Sequence, residues 1–482
     1  MNYGIVLKVL GSILILESIL MTPSLFISLY TDQSDKLAFL ITILITGMIG
    51  FILTRKRSRN RHINAKEGLV IVALGWIFIS LLGALPLYIS GSTSTYIDAF
   101  FEIVSGFTTT GATIITNAEI LPMGILFWRS FTHWIGGMGI LVFTLALLPA
   151  LGIGGFQIFK AESPGPIAGK IAPRIKDTAK ILYITYFAIT VIQVILLKLG
   201  GMSLFDSLVY TFGTVGTGGF ATKNASVGAY NSTYIHLVIG SFMVLSGVNF
   251  SLYYSLFKGK IKDVFRDEEL RLYFAIIFIA VVAIAINLFK TTYSNMGLAF
   301  RDSFFQVGSI MTTTGYSTAN FDIWPTFSKA ILLLLMFIGA SAGSTSGGMK
   351  VIRILVILKL VKREILKIFH PRAVIPVKLN DKILPNETIA GINSFTGLYM
   401  IIFVLSTILI SLEGVNLESA ASSVAATLGN IGPGLGFVGP TNTFNGYSQA
   451  AKAFFSLLML LGRLELFTII ALFAPKNWRR EV

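Results

Sequence analysis

Long apolar stretches alternate with short polar connections along the whole chain. A run of about 20 mostly apolar residues is long enough to cross a bilayer as a helix. The pattern predicts ten spans, at 4–30, 37–54, 67–90, 125–151, 179–200, 233–257, 271–289, 327–361, 387–412 and 446–473. The eighth is long and is interrupted by small and polar residues. The chain is therefore predicted to be an all-α membrane protein that crosses the bilayer many times.

Four of the predicted connections repeat one pattern: an acidic residue, a short apolar stretch and a polar stretch with a glycine. Each is too short to cross the bilayer, so it predicts a re-entrant segment, in which a short helix enters the membrane and an extended chain returns. In three copies the glycine follows the acid after thirteen residues: DAFFEIVSGFTTTGAT from Asp98, DSLVYTFGTVGTGGFAT from Asp206 and DSFFQVGSIMTTTGYST from Asp302. In the fourth, ESAASSVAATLGNIGPG from Glu418, the glycine comes one residue later, so its register stays open by one position.

These repeated segments favour a cation pathway. Their acids are expected to cap the first turns of the short helices, whose amide ends attract negative charge. The carbonyl ends would then point into the membrane, and glycine would let the following backbone turn its oxygens toward a pore. Four such loops around one axis form rings of oxygens that can replace the hydration shell of a cation. The alternative is that the loops are tight turns outside the membrane.

Composition and charge narrow the class further. Of the 482 residues, 54% are hydrophobic and 13% are charged, against about 25% charged in soluble proteins. The net charge of +15 arises largely from short basic connections, at 55–62, 160–180, 258–266, 362–372 and 476–480. Such connections mark the cytoplasmic side of membrane proteins and place both termini there, so the charge does not indicate nucleic acid as a partner. The sequence has no cysteine, and its four histidines lack metal-ligand spacing and are expected in loops and interfaces.

Two features of the later spans are unusual at membrane depth. Residues 339–350, GASAGSTSGGMK, interrupt a span rich in leucine and isoleucine, and we expect them to line a cavity. The alternative is a kinked helix packed through its small residues. Arg463 lies within the last span, where a buried charge would raise a barrier to cations unless a partner such as Glu465 holds it. Lys350 and Arg353, at the end of the interruption, either close it or extend to the membrane interface.

Three further stretches resemble the superfamily of K⁺ transporters that contains TrkH, KtrB and the plant HKT proteins. FWRSFTHWIGGMGI at 127–140, GASAGSTSGGMKVIRIL at 339–355 and LLGRLELFTIIALF at 460–473 are similar to TrkH segments, and the two extra N-terminal spans point to the TrkH branch. The resemblance implies two N-terminal helices followed by four M1–P-loop–M2 repeats, arranged pseudo-fourfold around one ion pore. The corresponding units are 1–66, 67–159, 160–262, 263–372 with an interrupted M2, and 373–482.

The resemblance also implies the residues of an ion path. The selectivity filter would take four consecutive residues from each loop: Thr108, Thr109, Thr110, Gly111, Gly216, Thr217, Gly218, Gly219, Thr312, Thr313, Thr314, Gly315, Gly429, Asn430, Ile431 and Gly432. The gate would comprise the intramembrane segment and the arginine below the filter: Gly339, Ala342, Gly343, Ser344, Thr345, Ser346, Gly347, Gly348, Lys350 and Arg463. None of the loops reads TVGYG, so we expect selectivity looser than that of a K⁺ channel, with K⁺ and Rb⁺ preferred and some Na⁺ passing.

The partners and the location follow from the same resemblance. It implies K⁺ as the transported ion, no organic cofactor in this chain, and a place in the inner (cytoplasmic) membrane of the cell. A second copy of the chain and a cytosolic, nucleotide-binding regulatory subunit of the TrkA type are the expected protein partners. The alternative function is a secondary transporter for a small organic solute or Na⁺, although such proteins usually have two repeats around a midplane site. An enzyme is not expected, because no nucleophile–base pair, metal motif or nucleotide loop occurs in the sequence.

Overall fold

Helices form most of the structure, a computed structural model that describes residues 2–56, 63–139 and 175–470. Predictions that fall on 57–62, 140–174 and 471–482 lie outside the described residues. They concern three of the basic connections and the ends of the spans predicted at 125–151 and 446–473.

The chain begins with two spans that pack on each other. The first comprises α1 (Tyr3–Leu20) and α2 (Thr22–Tyr30), and the second is α3 (Lys36–Thr54). α1 and α3 meet where glycine faces glycine: a Cβ atom added to Gly11 would lie 2.6 Å from the carbonyl oxygen of Gly50. Small residues let two membrane helices approach this closely and gain van der Waals contact.

The rest of the described chain repeats four parts in order: a long outer helix, a short helix, a loop and a return helix. The outer helices are α4 (Ala65–Gly83) with α5 (Leu85–Ile89), α8 (Ile175–Leu199), α13 (Glu268–Thr291) and α17 (Asn386–Ile410). The short helices are α6 (Tyr96–Phe107), α9 (Leu204–Val215), α14 (Met296–Met311) and α18 (Leu417–Leu428). The return helices are α7 (Met123–Gly137), α10 (Thr233–Ser246) with α11 (Phe250–Phe257), α15 (Thr326–Ile338) with α16 (Val351–Phe369), and α19 (Gln449–Arg463) with α20 (Phe467–Ile470).

Two smaller elements lie at the end of the molecule where the basic connections occur, which we call the basic face. Helix α12 (Ile261–Arg266) precedes α13, and an antiparallel pair, β1 (Lys378–Leu379) and β2 (Lys382–Ile383), precedes α17. Asn380 joins the two regions, since its side-chain amide donates to Asp267 at 2.8 Å and its side-chain oxygen accepts from the amide of Glu268 at 2.9 Å.

Six helices in the described ranges are long and apolar enough to cross a membrane, and α10 with α11 makes a seventh span that bends by 93°. The span predicted at 233–257 is therefore divided into two helices. The bend follows Ser246, and Asn249 starts α11 by accepting a hydrogen bond from the amide of Ser251 at 2.9 Å. The third and fourth return segments are also broken, at 339–350 and after Arg463.

The short helices form the centre of the structure. Residues 101–110 of the first copy are all buried, as are 211–218 of the second and 422–432 of the fourth. The outer helices surround them and expose large apolar side chains, among them Phe278 and Ile279 on α13 and Leu405 on α17. This arrangement leaves lipid-compatible surface outside and places polar threonine and serine side chains inside.

Candidate functional site

The four loops adopt the same backbone conformation directly after the short helices. In each loop the second and fourth residues have positive φ: Thr109 and Gly111, Thr217 and Gly219, Thr313 and Gly315, Asn430 and Gly432. In each, the amide of the third residue donates to the carbonyl five residues earlier in the short helix, at 2.7–2.9 Å. Because this bond joins Ile431 to Ala426 as it joins Thr110 to Ser105, the register of the fourth loop is fixed at Gly429–Gly432.

The loops also contact one another in a closed ring. Each loop glycine lies against the carbonyl oxygen of the third residue of the next loop, so that a Cβ atom there would overlap it: Gly111 with Gly218, Gly219 with Thr314, Gly315 with Ile431, and Gly432 with Thr110. Only glycine can combine a positive φ with so close a backbone approach. The carbonyl oxygens of four loops are thereby gathered around one centre.

Side-chain hydrogen bonds lie within the first and third loops and join the fourth loop to the first. Thr108 and Thr110 share a hydrogen bond of 2.8 Å, and Thr312 and Thr314 share another of 2.8 Å. The Asn430 amide donates to the Thr110 hydroxyl at 2.9 Å, which joins the fourth loop to the first. The four loops therefore share one backbone conformation but differ in their side-chain hydrogen bonds.

The assignment of the four acids as helix caps is wrong. The side chains that cap the short helices are those of Thr95, Ser203, Asn295 and Asn416. Asp98, Asp206 and Glu418 lie in the first turn of their helices, as expected, but after the capping residue. Asp302 lies a full turn further in, because α14 begins at Met296. The pattern in the sequence located the helices, but the capping position is the non-helical residue that precedes the first turn, and the acids lie after it.

The acids instead hold neighbouring parts of the chain. Asp206 accepts from the Thr222 hydroxyl at 2.7 Å and Asp302 from the Tyr293 hydroxyl at 2.9 Å. Asp98 and Glu418 pair with lysines on the return helices: Lys452 at 2.7 Å and Lys329 at 3.0 Å. Burial raises the pKa of the Asp98 carboxyl, but the hydrogen bonds and charge of Lys452 and a hydrogen bond from Thr95 outweigh it, so this pKa lies below its usual value.

Replacing Lys452 by methionine is expected to destabilise the protein, because Asp98 would stay buried without its cation. Removing one partner of a buried pair typically costs about 3–5 kcal/mol. The double variant Asp98→Asn/Lys452→Met should recover most of that loss, as measured by thermal unfolding in detergent. The pair stabilises the protein above the ordinary carboxyl pKa of 3.8, and the stabilisation is lost as the pH falls through the lowered value.

Lys329→Met is the matched control for this experiment. It removes the pair with Glu418, whose side chain is 45% exposed, and an exposed pair contributes only about 0–1 kcal/mol. Equal losses of stability in the two lysine variants would contradict the role assigned to the buried pair.

Residues 339–350 leave the helical conformation and lie against the inner ends of the loops. The amide of Gly347 donates to the Thr313 hydroxyl at 2.8 Å, and the Thr345 hydroxyl donates to the carbonyl of Val215 at 3.1 Å. Gly339, Gly343 and Gly348 have positive φ, which explains the density of glycine in this segment. The alternative of a kinked helix is excluded by this conformation, and we call 339–350 the closing segment.

Lys350 and Arg353 do not extend to the membrane interface. Their side chains are 2% and 3% exposed. The Lys350 ammonium folds back onto the carbonyl of Ser346, while Arg353 donates to Glu465 at 2.5 Å and stacks over the Phe395 ring at 3.8 Å. Both cations therefore hold the closing segment in place.

Glu269 joins the closing segment to the start of α16 and has no counterpart in the sequence predictions. One oxygen of its buried carboxylate accepts from the amides of Ala342 at 2.6 Å and Ile352 at 3.1 Å. Its position at the start of α13 offers no local signal for this role, because the contacts are 73 and 83 residues distant in the chain.

Arg463 joins three parts of the structure beneath the loops. It donates to the carbonyl of Thr345 in the closing segment at 2.7 Å and to the carbonyls of Gly136 and Gly137 at the end of α7. It also lies 3.4 Å from the Thr109 hydroxyl of the first loop. Glu465, the partner considered from the sequence, binds Arg353.

Two cavities lie on opposite sides of the loops. One is lined by all four loop glycines, Gly111, Gly219, Gly315 and Gly432. The other is lined by Gly343–Gly348, Lys350, Arg463 and Glu465, together with Trp76 and residues of α7. The loops therefore lie between two cavities, and the closing segment and Arg463 line the second of them.

These features define a multi-pass helical membrane protein with four short helices and their glycine-bearing loops at its centre. Residues 35–480 match the family described as TrkH, cation transport protein. The chain belongs to this family.

Individual relatives match over the full length. The Trk system potassium uptake protein TrkH of Escherichia coli K12 is 40% identical, and the alignment covers 99% of this chain and 100% of that protein. Its counterpart in Salmonella typhimurium is 39% identical with the same coverage. The crystal structure of the potassium transporter TrkH from Vibrio parahaemolyticus superposes with a TM-score of 0.89 at 35% identity, covering 99% of this chain and 100% of that one.

Proposed function

We propose that the protein takes up K⁺ across the cell membrane through a filter formed by the four loops. The closed ring of glycine–carbonyl contacts is the observation that carries this proposal, because it gathers oxygens around one centre. Rings of backbone carbonyls can replace the hydration shell of a K⁺ ion. The potassium uptake proteins among the relatives support K⁺ as the ion.

The filter consists of the four residues in each loop, from Thr108, Gly216, Thr312 and Gly429 onward. The shared hydrogen bonds of the four loops and their cyclic contacts support a pseudo-fourfold arrangement of four repeats after two N-terminal helices. The repeat boundaries stay as the sequence predicts them. Helix dipoles support the same assignment, since each short helix directs its carbonyl end toward the ring.

The closing segment and Arg463 form the gate. The segment fills the space below the ring, and the guanidinium places a positive charge beside the first loop and the closing segment. A fixed cation at this position repels K⁺ in a medium of low dielectric constant. Conduction then requires that the segment and Arg463 move away from the loops together, because hydrogen bonds join them.

The cavity lined by the loop glycines faces the outside, and the basic face lies in the cytoplasm with both termini. The short basic connections support this orientation in the inner membrane. A homodimer and a TrkA-type regulatory subunit that binds nucleotides are the partners we propose. The relatives are named as parts of a Trk system, which supports further subunits.

Purified protein in liposomes loaded with KCl is expected to accumulate external ⁸⁶Rb⁺ above the level of empty liposomes. Unlabelled K⁺ should compete more strongly than Na⁺, because the carbonyl ring suits an ion of its size. Ion binding without flux is measured in parallel as a rise of Tm in KCl over N-methylglucamine chloride. Absence of both uptake and K⁺-dependent stabilisation would contradict the proposed function.

A further inference from the structure

Arg129 and His133 lie one turn apart on α7, and neither belongs to the four loops, the closing segment or Arg463. Arg129 is 2% exposed and His133 is fully buried, so the expectation that the histidines occupy loops and interfaces is wrong for His133. A buried charge or polar ring requires partners. Those partners belong to two different repeats.

Arg129 binds the first repeat and touches the second. Its Nε and Nη2 donate to one oxygen of Glu102 on α6, at 2.8 and 2.5 Å. The Glu102 carboxylate also accepts from the amide of Ile114 at 3.0 Å and from the hydroxyl of Thr113 at 2.9 Å, which fixes the chain that leaves the first loop. The guanidinium lies 4.3 Å from the ring centre of Phe220, the residue that follows the second loop.

His133 bridges the same two repeats. Its Nδ1 lies 2.8 Å from the carbonyl oxygen of Gly106, and its Nε2 lies 3.2 Å from the amide nitrogen of Phe220. Because a carbonyl only accepts and an amide only donates, the ring is neutral and carries its proton on Nδ1. The ring also lies against Gly218, whose carbonyl oxygen faces the glycine of the first loop.

Phe220 also contacts the third loop. Its carbonyl accepts from the Tyr316 hydroxyl at 3.0 Å, and Tyr316 follows Gly315 directly. The rings of His133 and Phe220 are 4.3 Å apart, so Phe220 is held from both its backbone and its side chain. A continuous set of contacts therefore leads from α7 through the second loop to the third.

The other return helices lack equivalent groups. Counted from the N-cap of each helix, the position of His133 is occupied by Met243, Met336 and Met459. The position of Arg129 is occupied by Ile239, Leu332 and Phe455 in the same order. Methionine fills the same space without an N–H donor, so the polar bridge is a property of the first return helix alone.

We propose that Arg129 and His133 are positioning residues that fix the carbonyl oxygens of the second loop and thereby set ion selectivity. The inference rests on the proposed function, since it concerns the geometry of the filter. Arg129 borders the cavity lined by the loop glycines and contacts the ring of Phe220, whereas His133 contacts Phe220 and Gly218.

His133→Met tests the proposal with the residue that the other three return helices carry. The protein should fold, while the ratio of ⁸⁶Rb⁺ to ²²Na⁺ uptake in liposomes should fall about fivefold, as expected for the loss of one hydrogen bond. His133→Gln keeps one donor and one acceptor and should retain most of the ratio. Met243→Leu, at the equivalent position of α10, should leave it unchanged.

A wild-type ratio in His133→Met, or an equal loss in Met243→Leu, would overturn the proposal. Hydrogen exchange of the amides at 217–220 gives a second readout that does not require transport. Faster exchange in His133→Met than in the wild type and His133→Gln supports the bridge, and equal exchange refutes it. Wild-type liposomes without ⁸⁶Rb⁺ uptake would refute the proposed function instead, and the exchange result would still decide the bridge.

Discussion

Replacing Arg463 by alanine is expected to raise K⁺ flux roughly 30-fold. At a separation of about 8 Å and an effective dielectric constant of about 20, two like unit charges repel each other by about 2 kcal/mol, which corresponds to the stated factor. The substitution also removes the hydrogen bond to Thr345, so it loosens the closing segment. Both effects act in the same direction, and the initial rate of ⁸⁶Rb⁺ uptake into liposomes measures their sum.

Arg463→Lys separates the two contributions. A lysine keeps the charge but lacks the planar fork with which Nη1 and Nη2 of Arg463 reach Thr345, Gly136 and Gly137. If charge dominates, the lysine variant stays near the wild-type rate. A rate close to that of the alanine variant would show that hydrogen bonding to the closing segment, and not charge, limits flux. Wild-type flux in both variants would be incompatible with a barrier at Arg463.

Gly315→Ser is expected to abolish most discrimination between K⁺ and Na⁺. Gly315 has a φ of +84°, a conformation that an L side chain adopts only at a cost of about 1–2 kcal/mol. A Cβ atom there would also overlap the carbonyl oxygen of Ile431 and lie 2.9 Å from the Pro433 ring. The third and fourth loops must separate to admit it, and the displaced carbonyls would fit K⁺ poorly. We expect the ⁸⁶Rb⁺ to ²²Na⁺ uptake ratio to fall by about tenfold or more, equivalent to about 1.4 kcal/mol.

Gly414→Ser is the control for backbone strain. Gly414 has a similar φ of +77°, but no heavy atom lies within 4 Å of a Cβ atom at that position. The variant carries the same conformational penalty without any contact to a loop. Loss of selectivity in Gly414→Ser, or wild-type selectivity in Gly315→Ser, would contradict the assignment of the ring.

The repeated segments could be found from the sequence because acid and glycine recur at fixed spacing. The spacing did not predict where each short helix begins, because the helices differ in length: Asp302 lies well inside α14, which begins at Met296. It also left the fourth register open, because Glu418 is one residue further from its glycine. The backbone hydrogen bond of Ile431 resolves that register, and no local pattern in the sequence encodes it.

The supporting contacts could not be predicted because their partners are distant in the chain. Arg129 and Glu102 are 27 residues apart, and Lys452 and Asp98 are 354 apart. A single sequence marks each of these side chains as a charge within an apolar stretch but carries no signal for its partner. Arg463 illustrates the same limit. Its position in the sequence predicted a barrier to cations, but its hydrogen bonds to Thr345 and Gly136 could be identified only in the folded structure.

Carrying all four loops on one polypeptide has a consequence for how such a pore can change. In a pore of four identical subunits every substitution appears four times, so a gate arginine would bring four charges at once and a methionine-to-histidine exchange would alter every quarter. Within the residues that the structure describes, Arg463, the closing segment and the His133 bridge each occur in one repeat, while the backbone ring is nearly equal in its four parts. Under the proposed function, each quarter can then acquire a separate task, with gating proposed for the third and fourth and bracing for the first, as long as the shared ring of oxygens is kept.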